Sequence, residues 1–110
     1  MNNDVKIVID PGHGGIDSGA VGNGVMEKNL TLDISNYMYD LFNNLGIPVA
    51  ITRSTDTTLT PTERTNAIKN AFGSSNDVIV ISNHINAGGG DNPSGKLTFF
   101  EIMLLNTKKL

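Results

Sequence analysis

The sequence predicts an α/β fold: a mostly parallel, twisted sheet in three layers, with crossover helices on its faces. Two observations carry this. Residues 77–82 place Val78, Ile79, Val80 and Ile81 in succession with no polar alternation, as in a strand covered on both faces. Segments of helical spacing lie between short β-branched runs, giving the order strand, helix, strand, helix, strand and so two crossovers.

The first strand spans residues 5–10 and stops at Pro11-Gly12. Residues 12–24 are rich in glycine and poor in apolar side chains, and read as a loop. A helix follows from about Glu27 to Asn44. Its Leu30, Ile34, Met38, Leu41 and Leu45 keep the three-to-four spacing of one buried stripe. Gly46 suits its end, and Pro48 prevents its resumption. Residues 49–52 read as a second strand. Thr60, Pro61 and Glu63 then spell a helix start: a cap, a preset first position and a capping-box partner. That helix runs to about Phe72 and ends at Gly73, and residues 77–82 form the third strand. A loop rich in Gly, Asn and Asp covers residues 86–95, and the apolar tail over residues 97–105 reads as a further strand.

Composition narrows the function. The 110 residues carry 8 Lys+Arg against 11 Asp+Glu, a net charge of −3. That balance argues against holding nucleic acid or anionic lipid by bulk electrostatics. Four Phe, two Tyr and no Trp make a poor base-stacking platform. The absence of Cys removes disulfides, thiolate zinc sites and cysteine nucleophiles. No apolar run approaches the roughly 20 residues that span a bilayer. Residues 1–6 lack the pattern of a signal peptide, so synthesis in the cytoplasm is expected.

Both of the chain's histidines fall where a parallel sheet places function. His13 lies three residues past the first strand and His84 two past the third. Ligands in such sheets bind beyond the carboxyl ends of the strands. Glu27 opens the first helix, whose N-terminus returns to that edge. Two imidazoles and one carboxylate suit a catalytic zinc ion with one open position. Other readings stay open. A histidine after a strand can be a simple hydrogen-bonded residue, and a first-turn glutamate serves the helix dipole. The glycine loop could cradle a phosphate. Gly90, Gly95 and Lys96 nearly spell a phosphate-binding loop, although Leu97 stands where Ser or Thr is needed.

Five ordered motifs carry a resemblance. Asp10-Pro11-Gly12-His13-Gly14-Gly15, followed by Asp17-Ser18-Gly19-Ala20, resembles the opening motif of zinc-dependent N-acetylmuramoyl-L-alanine amidases of the Amidase_3 type. Glu27-Lys28-Asn29-Leu30, Thr52-Arg53-Ser54-Thr55-Asp56, Glu63-Arg64 and Ser82-Asn83-His84-Ile85-Asn86-Ala87 match later segments in the same order. The match covers about residues 5–90.

The resemblance implies hydrolysis of the amide between N-acetylmuramic acid and L-alanine in peptidoglycan. It implies one zinc ion on His13, Glu27 and His84, activating the attacking water. Residues 1–110 would form the N-terminal two-thirds of a single catalytic domain. The family carries its general-base glutamate on a late strand, and residues 91–98 do not match that segment. Glu101 is the one glutamate downstream, in a setting unlike the catalytic one. The alternative to an active enzyme, endolysin or autolysin, is therefore a zinc- and peptidoglycan-binding module that lacks its base. Arg64 and Lys69 read as solvated helix charges, or as contacts for acidic stem-peptide groups. Missing final strands would leave an exposed sheet edge, and self-association is expected there. Action on the cell wall would follow release from the cytoplasm.

Overall fold

A computed structural model describes residues 5–73, 77–86 and 98–105; Asn86 and residues 98–105 are described by their backbone. The elements in chain order are β1 (Lys6–Pro11), β2 (Val21–Gly22), β3 (Val25–Met26), α1 (Glu27–Asn44), β4 (Val49–Ile51), α2 (Pro61–Phe72), β5 (Val78–Asn86) and β6 (Thr98–Leu105). The main sheet has the order β4-β1-β5-β6. β1 runs parallel to both of its neighbours, and β6 closes the far edge antiparallel to β5.

β-branched side chains alternate across this sheet and are buried on both sides. Ile7, Ile9 and Ile81 pack against Met38, Tyr39 and Phe42 of α1. Val8, Val78 and Val80 pack against Ile68, Ala71 and Phe72 of α2. One helix therefore covers each face, and the three layers follow from the unbroken apolar runs. Each such side chain contributes about 1.5–3 kcal/mol when fully buried. α2 starts as its sequence specifies: Thr60 Oγ1 accepts from the Glu63 amide at 3.1 Å, and Glu63 Oε1 accepts from the Thr60 amide at 2.9 Å. Among the described residues, no helix is long and apolar enough to cross a membrane.

Three local differences from the sequence reading matter for the site. First, β5 does not stop at Ser82 but continues to Asn86, so His84 lies within the strand. Its buried polar residues Ser82 and Asn83 are tolerated because each finds a partner. Ser82 Oγ donates to Asp10 at 3.0 Å, and Asn83 Nδ2 donates to Ser35 Oγ at 2.9 Å.

Second, α1 packs only part of its apolar stripe, Met38, against the buried core of the sheet. Its fully buried residues are Glu27, Thr31 and Ser35, while Leu41 and Leu45 are exposed by 46% and 64%. The buried line is offset from the apolar stripe by one residue, about 100° of helix rotation. Small polar residues let the start of α1 approach the ends of β1 and β5, where Thr31 Oγ1 donates to the Gly12 carbonyl at 2.8 Å.

Third, the glycine-rich loop contains a short antiparallel hairpin, β2–β3, and a Gly14–Asp17 bridge. The tail strand is present as expected, and its register sets Glu101 opposite Ser82. The phosphate-loop-like run ending at Leu97 lies outside the described residues.

Candidate metal centre

The site begins where β1 ends. The Gly12 amide donates to the Asn83 carbonyl at 2.8 Å, the last contact holding β1 to β5 on this side. The chain then turns sharply at His13, a non-glycine residue with φ of 64°. That left-handed conformation costs on the order of 1–3 kcal/mol and persists only where neighbours enforce it. Here the His13 carbonyl accepts from Arg53 Nε at 2.7 Å and from Arg64 Nη2 at 3.0 Å. Beyond it, the Gly14 and Asp17 amides and carbonyls close on each other at 2.8 and 3.0 Å.

This turn brings Asp17 back beneath the imidazole. Asp17 Oδ2 lies 2.8 Å from His13 Nδ1, and its Oδ1 accepts from the Gly19 amide at 3.1 Å. An ionised carboxylate accepts only, so Nδ1 donates to Asp17 and Nε2 is the nitrogen turned toward Glu27. The hydrogen bond from His13, followed by that from Gly19, holds the Asp17 carboxyl below its ordinary value.

His13 Nε2 faces Glu27 Oε2 at 3.1 Å, and His84 Nδ1 faces the same oxygen at 3.4 Å. Glu27 is buried at the first turn of α1. Its Oε1 accepts from the Ala20 amide at 3.0 Å and its Oε2 from the Ile85 amide at 2.9 Å. Burial by itself raises the carboxyl's pKa. The Ala20 and Ile85 amides, with the two imidazoles, outweigh that and bring it below the ordinary 4.5. Glu27 is thus kept as an anion.

His84 reaches this point because the β5–β6 register shifts between Ser82 and Ile85. Such an irregularity re-aims side chains next to active sites. The three ligand atoms all lie within 4.8 Å of one another, and the two rings meet edge to face with centroids 5.1 Å apart.

Two glycines make this convergence possible. A Cβ on Gly12 would sit 2.6 Å from His84 Cε1, and one on Gly19 would sit 2.6 Å from His13 Cδ2 and 2.8 Å from Glu27 Oε1. Between them these two residues abut all three ligands.

The donor set fits a metal ion. The lone-pair nitrogen of a neutral imidazole and a carboxylate oxygen are both acceptors, so a proton or a cation between them is what makes such an approach favourable. A tetrahedral ion with bonds of about 2.0–2.1 Å separates its ligands by roughly 3.3 Å. The observed 3.1 and 3.4 Å bracket that spacing.

His13, Glu27 and His84 were expected to converge at the carboxyl edge of the sheet, and the structure brings them together. Arg64, expected to be a solvated helix charge or a substrate contact, instead pairs with Asp10 at 2.6 Å and holds the Pro11 and His13 carbonyls. Asp17 and Arg53 had been given no role. The clue to Asp17 was its spacing: a carboxylate four residues after a ligand histidine, across two glycines.

Carboxylate partners of ligand histidines fix the tautomer and typically contribute 10–100-fold to metal affinity. Asp17→Asn is accordingly expected to raise the zinc dissociation constant 10–100-fold without unfolding the chain. Competition with a chromophoric chelator checks this; an unchanged constant would remove Asp17 from the site.

Comparison with known proteins agrees with this geometry. The family model for N-acetylmuramoyl-L-alanine amidase matches residues 7–109. The sporulation-specific N-acetylmuramoyl-L-alanine amidase of Bacillus subtilis (strain 168) is 43% identical over 88 residues, 78% of this chain and 33% of that protein. The amidase LytC of the same organism is 37% identical over 106 residues, 94% of this chain and 21% of that protein. Among solved structures, the amidase AmiC2 of Nostoc punctiforme superimposes with a TM-score of 0.66 at 30% identity, covering 84% of this chain and 48% of that one. An amidase from Clostridium difficile 630 gives a TM-score of 0.69 at 27% identity over 81% of this chain and 47% of that one. The chain thus spans about a third or less of the length of these Bacillus relatives.

Proposed function

Because this chain belongs to the N-acetylmuramoyl-L-alanine amidase family, we propose that it carries the zinc site of a peptidoglycan amidase. The bond cleaved is the amide between N-acetylmuramic acid and L-alanine, and the place of action is the bacterial cell wall. The observation that carries this reading is the meeting of His13, Glu27 and His84 at the carboxyl end of the sheet, each from a different element. These three residues would hold one zinc ion. When bound, zinc lowers the pKa of water and polarises a carbonyl.

The chain's own residues prepare that chemistry. Asp17 holds the proton at His13 Nδ1 and so frees Nε2 as a donor atom. The Ala20 and Ile85 amides keep Glu27 ionised and fixed. The side chain of His84 is 36% exposed and that of His13 24%, so the site opens to solvent on the side a substrate would approach.

A second reading has its own support. Amide hydrolysis needs a general base beside the attacking water. Glu27 is occupied as a ligand and Glu63 by its capping box. Glu101 then remains, on β6 opposite Ser82. Without a base the chain would be a zinc- and peptidoglycan-binding module.

The test is release of free L-alanine amino termini from purified cell walls by the zinc-loaded chain. Release that is lost on chelation and restored by zinc supports the amidase. Zinc binding with sedimentation on cell walls, but no release, supports the binding module. Neither zinc binding nor release would overturn both.

A further inference from the structure

Three consecutive backbone carbonyls lead into the first candidate ligand, and two guanidinium groups, that of buried Arg53 and that of half-buried Arg64, hold all three. Arg64 Nη1 donates to the Pro11 carbonyl at 2.8 Å, and Arg53 Nη2 donates to the Gly12 carbonyl at 2.9 Å. The His13 carbonyl takes both Arg53 Nε at 2.7 Å and Arg64 Nη2 at 3.0 Å. Arg53 has only 5% of its surface exposed and comes from the loop after β4, whereas Arg64 lies on α2.

Neither side chain is placed to act as a simple counter-ion. Arg64 has one carboxylate partner, Asp10. The fork of Arg53 is spent on oxygens of the chain: beyond the Gly12 and His13 carbonyls it reaches those of Thr55 at 3.0 Å and Lys28 at 3.1 Å. Lys28 follows Glu27 directly, so Arg53 ties the turn bearing one ligand to the helix start bearing another. The two guanidiniums also repel each other, and burial with that repulsion lowers the pKa of Arg53. Two like charges packed against one turn are an expensive way to stabilise a loop. What they achieve is a fixed orientation of His13, which sits in the left-handed region with both cations on its carbonyl.

We propose that Arg53 and Arg64 are positioning residues of the metal centre, clamping the carbonyls of Pro11, Gly12 and His13 so that the His13 imidazole stays aimed at Glu27 and His84. The inference rests on the zinc reading above. It assigns the clamp no contact with substrate or metal.

Lysine keeps the charge but loses the fork, so it cannot hold several carbonyls at once. Arg53→Lys and Arg64→Lys are therefore the informative changes, made in the full chain. The readouts are the zinc dissociation constant, the visible absorption spectrum of the cobalt-substituted protein, and the thermal midpoint in the presence of a chelator. Arg53→Lys is expected to weaken zinc 10–100-fold, the range for residues that orient ligands, and to change the cobalt spectrum. A merely structural arginine would lower the metal-free midpoint and leave that spectrum alone.

A folded Arg53→Lys with wild-type zinc affinity and spectrum would overturn the clamp while leaving the zinc site standing. Should Arg53→Lys fail to fold, Arg64→Lys decides: a loss of about tenfold supports the clamp, and wild-type affinity overturns it. A wild-type chain that takes up no zinc would overturn both readings together.

Discussion

Glu27→Gln is expected to weaken zinc by more than 100-fold and to destabilise the metal-free chain by about 1–3 kcal/mol. The first effect follows from losing the one anionic ligand, which should exceed the 10–100-fold typical of residues that only orient ligands. The second follows from hydrogen-bond chemistry. Both Glu27 oxygens accept backbone amides, from Ala20 and Ile85. A glutamine must turn its NH2 group toward one of them, leaving two donors face to face in a buried site.

The sign of the pH dependence is also fixed. The folded pKa of Glu27 lies below the ordinary 4.5, so its stabilisation is present above that value. It is lost as pH falls through the lower folded value. The difference in thermal midpoint between wild type and Glu27→Gln, measured without metal, should therefore shrink on acidification toward pH 3. A difference that stays constant from neutrality to pH 3 would show that the carboxylate is not favoured by its surroundings.

Gly12→Ala is the second large expectation. Its Cβ would lie 2.6 Å from His84 Cε1, 2.7 Å from His84 Nδ1 and 2.8 Å from the Asn83 carbonyl oxygen. The imidazole could swing away, but the carbonyl cannot, because it accepts the Gly12 amide itself at 2.8 Å. Relief requires moving a ligand and loosening β1 from β5 at once. We expect a loss of stability of about 1–3 kcal/mol, as for overpacked interiors, with zinc weakened at least tenfold. Gly22, with nothing within 4 Å of an added Cβ, is the matched control. Gly22→Ala should stay within about 0.5 kcal/mol of wild type. Denaturant unfolding and zinc titration of both variants check the contrast; equal effects would contradict the crowding at Gly12.

How much of this was legible in the sequence depended on whether a feature was periodic, local or long-range. The strands β1 and β5 announced themselves because burial on both faces demands unbroken β-branched runs. The start of α2 was legible because a capping box is a contact over three residues. The meeting of His13, Glu27 and His84 was legible because a parallel sheet delivers strand ends and helix starts to one edge.

The face of α1 was only partly legible, for a physical reason. Periodicity registers apolar residues, whereas Glu27, Thr31 and Ser35 are buried through polar contacts to Ile85, Gly12 and Asn83. The end of β5 was misjudged likewise, since Ser82 and Asn83 look like strand breakers until Asp10 and Ser35 satisfy them. Arg53 and Arg64 were invisible as site residues because their partners are carbonyls 40 and 51 positions away, and backbone oxygens leave no mark in a sequence.

Everything proposed for this chain depends on His13, Glu27 and His84 forming one zinc site. Zinc-edge X-ray absorption on the stoichiometrically titrated chain tests it most directly. One zinc per chain is expected, with two imidazoles and a carboxylate oxygen in its coordination shell, and loss of that signal in His13→Ala and His84→Ala. A folded wild-type chain that takes up no zinc, or a shell without imidazole that persists in both variants, would contradict it.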